Sequence, residues 1–92
     1  MKPLSAVDPA LHVVRSWVQS LDGRARQQAE SARFQLFAAF EAQDSERAEQ
    51  WLRALRAAFA AYAPDAPAEL ELQGYVRDAI ADIERAIREE GS

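Results

Sequence analysis

Residues able to do chemistry are few in this chain of 92 residues, and they are scattered. There is no cysteine, so disulfides, thiolate nucleophiles and cysteine zinc sites are excluded. His12 is the single imidazole. On a helical wheel it falls with Gln19, opposite the apolar side, where solvent is expected. No His-x-x-x-His or Glu-x-x-His spacing exists, which removes zincin and di-iron carboxylate sites. Glu71, Asp78, Asp82 and Glu89 do recur along one ridge, with Arg85 among them. Acid–base work requires one of such a set to be buried, and this ridge lies opposite an apolar stripe. It is expected to be a solvated face, a docking strip for a basic partner or a weak site for a hard cation. No catalytic residue, metal set or cofactor site is expected, and the chain is not expected to be an enzyme.

What remains is recognition. Arg33, Phe34, Phe37 and Phe40 form the densest aromatic and arginine cluster. These are the residue types enriched at the centres of protein interfaces. The alternative is a bundle core from which Arg33 reaches water along its stem. Arg33, Phe34 and Phe37 are the expected interface, with Asp78 and Asp82 of the acidic ridge second.

Four helices can position these residues. Residues 44–62 carry Ala48, Trp51, Leu52, Leu55, Ala58, Phe59 and Tyr62 at spacings of three and four, and Ala54, Ala57 and Ala61 form a small-residue flank. This segment is expected to be the central element, approached from two directions. Asp8-Pro9 reads as a helix start, with Asp as the cap and Pro in the first turn. A first helix at about 9–21 follows, behind a loose arm at 1–7 from which Leu4 and Val7 could dock. Asp22-Gly23 supplies its stop. The second helix, about 24–42, has a wide apolar arc interrupted by Arg33. Gln43-Asp44 is short enough to make a hairpin with the third, about 45–62, which Asp44 caps. Pro64 ends that helix, and Asp65-Ala66-Pro67 starts the fourth, about 67–90. Its expected core stripe is Leu72, Tyr75, Val76, Ala79, Ile80, Ile83 and Ile87. Gly74 is expected where a neighbour comes close, and Leu70 over the 64–67 turn. The fold class is all-α: an antiparallel four-helix bundle, or a three-helix bundle with a loosely packed N-terminal helix.

Composition narrows the partners. Hydrophobic residues are 49% and charged residues 28%, which is too apolar for disorder and enough for one modest core. The formal charge of −4 disfavours a nucleic-acid backbone as partner. No apolar run approaches a membrane span, and the start of the chain does not read as a signal peptide, so a cytoplasmic protein is expected. Ten arginines against one lysine fit a GC-rich genome better than an idealised designed bundle, whose surface usually carries Lys and Glu.

Two short stretches resemble known families. Asp44-Ser45, followed by Leu55, Phe59 and Pro64-Asp65, resembles the region of acyl carrier proteins in which the serine of Asp-Ser-Leu carries phosphopantetheine. The resemblance covers roughly residues 40–83 and implies a small acidic four-helix bundle with Ser45 as the prosthetic-group site. Glu46 departs from it, because that family has an apolar residue there. So does the continuous helical pattern of 24–42, where carrier proteins have a long loop. Phe40-Glu41-Ala42-Gln43-Asp44 with Ala48, then Pro64 and Gly74-Tyr75, looks like part of a tetratricopeptide repeat. The Ala48–Pro64 interval is too long for that repeat and no second copy is present.

The reading that follows is a small acidic helical protein–protein interaction module of accessory-subunit, chaperone or inhibitor type. It is expected to self-associate as a homodimer. A carrier protein and a small-ligand-binding bundle are the alternatives.

Overall fold

A computed structural model describes the backbone of residues 1–61 and 67–89, and the side chains of residues 1–61 and 71–89. It contains four helices, α1 (Leu4–Gln19), α2 (Gly23–Glu41), α3 (Ser45–Ala61) and α4 (Pro67–Arg88). Each packs on two others: α1 on α2 and α4, α3 on α2 and α4. The diagonal pairs make no backbone-level contact among the described residues. The architecture is an all-α four-helix bundle closed as a ring. The expectations for Tyr62, the Pro64 stop, the Asp65 cap and the Leu70 side chain lie outside the described residues.

The start of α1 differs from expectation. The helix begins at Leu4, and Pro9 lies inside it. An interior proline removes the hydrogen bond to the Ser5 carbonyl and costs about 3 kcal/mol. Docking outweighs that cost. Leu4, Val7, Leu11, Val14 and Val18 continue one stripe at spacings of three and four. Val7 is buried, and the Lys2 amide donates to the Ala86 carbonyl of α4 at 2.8 Å. Residues 1–7 are therefore not a loose arm, and α1 is not a loosely packed helix.

The centre of the bundle also shifts. Val7, Ala10, Leu11, Val14, Trp17 and Val18 of α1 are all buried, whereas α3 buries Ala48, Leu52, Leu55 and Ala58. Trp17 is fully buried, while Trp51 is only half-buried. The Trp17 ring meets Phe59 edge-on at 5.3 Å, which joins α1 to α3 across the ring of helices. The Trp17 indole Nε1 is buried with no hydrogen-bond partner among the described residues. The small flank of α3 is not covered by a helix: Ala57 and Ala61 are exposed beside an open depression shared with Gln27, Gln28 and Ser31.

The α2–α3 turn follows from local chemistry. Gln43 takes a positive φ of 53°. Its amide donates to the Phe40 carbonyl at 3.2 Å, and the Asp44 amide donates to the Ala39 carbonyl at 2.9 Å, which satisfies two carbonyls of the last turn of α2. Asp44 then caps α3, its Oδ1 accepting from the Arg47 amide at 3.1 Å. Gly23 takes a φ of +58° between α1 and α2, a conformation that glycine adopts without a steric penalty. A Cβ built on Gly74 meets no described atom within 4 Å, so no helix approaches there.

Candidate functional site

The second helix divides its three phenylalanines among three environments. Phe40 is buried in the core, Phe37 is half-buried and Phe34 is 59% exposed. The helix turns by 100° per residue, so residues 34, 37 and 40 step progressively around the cylinder. Ala29, Ala32, Leu36 and Phe40 occupy the inward stripe. That leaves Phe34 at the outer edge.

Phe34 lines an open groove of about 780 Å³ between the C-terminal half of α1 and the N-terminal half of α2. Arg15, Val18 and Gln19 form one wall, and Arg26, Gln27, Glu30 and Ser31 the other. A second depression continues along the same seam, where Arg33 and Phe37 face Asp8, Leu11, His12 and Arg15. Arg15 borders both.

The groove is electropositive. Glu30 is its one carboxylate, and the forked guanidinium of Arg33 holds it by Nη2 to Oε1 and by Nε to Oε2, the latter at 3.2 Å. That hydrogen bonding holds the Glu30 carboxyl below the usual range; burial, the second-largest influence, opposes it, and the charges of Arg33, Arg15 and Arg26 add to the lowering. Arg33 keeps only 17% of its side chain exposed, so its charge is neutralised locally rather than offered outward. Arg15 and Arg26 are in no ion pair among the described residues.

Asp78 and Asp82 are not part of this groove. Both are exposed on α4, which lies diagonally across the ring from α2, and Asp82 pairs with Arg85. The expected interface therefore falls into two separate surfaces. Tyr75 corrects the expected core stripe of α4, because it is 58% exposed. Val76, Ala79, Ile80, Ile83, Ala86 and Ile87 are buried, as is Gln73. The spacing already held the sign, since Tyr75 follows Glu71 by four residues and precedes Asp78 by three, which places it on the acidic ridge. Arg15 and Arg26 had no such signal. Their meeting depends on how α1 packs against α2.

The remaining candidates are accounted for by position. His12 is exposed. Among the described residues no three metal-ligating side chains converge. Glu49 pairs with Arg88 of α4 at 3.7 Å, and Arg56 pairs with Glu84, so charges of α3 bridge it to α4. Ser45 is exposed as the first residue of α3, beside Glu46, Glu49, Gln50 and Arg53. The helix before it runs unbroken from Gly23 to Glu41, unlike the long loop that the carrier-protein resemblance implies. The four helices close on one another, whereas a tetratricopeptide unit stacks on further copies.

Compared with known protein families, with curated proteins and with solved structures, the chain matches none. Its function is therefore argued from its own surface.

Proposed function

We propose that this chain is a small protein-binding module whose docking surface is the α1/α2 groove that ends at Phe34. The single observation that carries this reading is a phenylalanine 59% exposed inside a groove rather than on a convex surface. Isolated apolar residues on a surface are ordinary. A phenylalanine between two walls, flanked by arginines, has the composition of an interface centre. Covering the exposed part of such a ring yields about 1–2 kcal/mol. An accessory subunit, a chaperone of secretion type and an inhibitor all work by such a surface, and none needs a catalytic group.

Phe34→Asp tests the reading. It is expected to leave far-ultraviolet circular dichroism unchanged, because the side chain contributes little to the core. It is expected to abolish both self-association in solution and capture of a partner from the source cell. Unfolding by this substitution would mean that Phe34 supports the bundle, and unchanged binding would mean that the groove is idle. Either result removes the proposal.

The carrier reading rests on a different observation, the exposure of Ser45 directly after the Asp44 cap. Incubation with a phosphopantetheinyl transferase and coenzyme A decides it. A mass increase localised to Ser45 establishes that reading, and an unchanged mass ends it.

A further inference from the structure

Among the described residues two large apolar side chains are exposed, Phe34 and Tyr75. They lie on α2 and α4, the diagonal pair of the ring. Their electrostatic settings are opposite. Phe34 shares its groove with Arg15 and Arg26, and the Glu30 of that groove is already held by Arg33. Tyr75 shares its ridge with Glu71, Asp78 and Asp82, all exposed. Asp82 pairs with Arg85, while Glu71 and Asp78 are in no ion pair among the described residues. Arg77, next in sequence, turns instead to the α3 side with Arg56 and Phe59.

We infer that the occupant of the Phe34 groove is the Tyr75 ridge of a second copy of this chain, bound head to tail. This rests on the reading that the groove binds protein. The spacings are compatible. At 1.5 Å per residue, Arg26 lies ~12 Å from Phe34 along α2, and Asp82 lies ~10.5 Å from Tyr75 along α4. With the tyrosine ring on Phe34 and the two helices antiparallel, Asp78 and Asp82 run alongside Arg26 and Arg15, Asp82 exchanging its solvent-exposed Arg85 partner for an arginine of the groove. A two-fold contact of groove against groove sets Arg15 and Arg26 against their own copies, with both Glu30 carboxylates already engaged. Charge therefore selects the heterologous contact. A pair keeps one groove unused on one chain and one ridge unused on the other, so assembly continues past a dimer into rings or open chains.

The test mixes two variants, Phe34→Asp and Tyr75→Asp, and follows mass by light scattering at low ionic strength. Wild type is expected to exceed the 10.3 kDa of one chain and to pass twice that mass as concentration rises. Each variant alone is expected to be monomeric. Their equimolar mixture is expected to form dimers and stop there, because one intact groove meets one intact ridge and the two remaining faces are spoiled. High salt is expected to disperse both the wild-type assemblies and the mixed dimer. Both substitutions are on exposed side chains, and circular dichroism checks that each variant is folded. If either is not, Phe34→Ser or Tyr75→Ser takes its place in the same mixture. A mixture that stays monomeric overturns the inference. So does a Tyr75→Asp variant that keeps the wild-type mass while Phe34→Asp loses it, since that pattern belongs to a two-fold seam. A monomeric wild type that captures a different protein, in a Phe34-dependent way, overturns self-assembly but leaves the proposed function standing.

Discussion

Glu30 shows how much one residue of this surface depends on its neighbours. Its carboxyl is held below the ordinary range chiefly by the Arg33 hydrogen bonds, with Arg33, Arg15 and Arg26 adding charge. A group whose folded-state value is depressed stabilises the fold above its unfolded value. That contribution is lost as pH falls through the folded value. Glu30→Gln is therefore expected to lower stability at neutral pH by a few tenths of a kcal/mol to about 1 kcal/mol, the range of a partly exposed pair. The gap between wild type and variant is expected to close as pH drops below the carboxylate range. Urea unfolding across a pH series measures it, and a gap that stays constant into acid contradicts the assignment. Phe34 and Tyr75 make the complementary point. Each sits at the edge of its helix's apolar arc, where one step of 100° separates core from solvent. Sequence periodicity resolves the centre of an arc better than its border. That is why Leu55 and Val76 were legible as core, while Tyr75 was misplaced.

At the level of elements, α1 separates what a local signal can decide from what it cannot. Asp44 was legible as a cap, because the cap, the short turn and the amide it satisfies all lie within a few residues. Asp8-Pro9 has the same local form, yet the helix runs through it from Leu4. The difference is tertiary: Val7 enters the core and the Lys2 amide reaches Ala86, far along the sequence. A substitution distinguishes the two placements. In a helix interior, Pro9→Ala restores a hydrogen bond to Ser5 and is expected to stabilise the protein by about 1–3 kcal/mol. At a first helical turn the same change is neutral or mildly destabilising. Denaturant midpoints with an unchanged slope read the answer, and no gain in midpoint rules out the continuous helix. The α2 helix carries the functional lesson. The width of its apolar arc, interrupted by Arg33, was legible, and the helix packs on both α1 and α3. Which α1 residues complete the groove was not legible, since no spacing within α2 names them.

For the whole molecule, the ring of four helices is pinned across its centre by the contact of Trp17 with Phe59. Removing that ring is expected to do more than delete one helix's packing. Phe59→Ala is expected to cost about 2–3 kcal/mol, below the full range for a buried phenylalanine because Phe59 is half-buried. In a Trp51→Phe background, the emission of Trp17 is expected to shift to longer wavelength as water reaches the indole. Emission that stays put would show that the diagonal contact carries no structural weight. The distribution of charge acts at this scale as well. The α3–α4 seam is crossed by Arg56–Glu84 and Arg88–Glu49, the groove is electropositive and the outer ridge of α4 is acidic. A modest net charge thus hides a polar asymmetry, and steering between copies follows from the asymmetry rather than the total.

The Lys2–Ala86 hydrogen bond, with Lys2 Nζ at 3.2 Å from Glu89, brings the first turn of α1 to the last turns of α4. Force applied at Lys2 and Glu89 therefore enters both helices from the same pole. It peels their seam open turn by turn, like a zip drawn from its open end, and never loads that interface in parallel shear. A molecule joined into larger structures through these two points yields softly under tension, whereas a pull transmitted from groove to ridge crosses the packed width of the bundle.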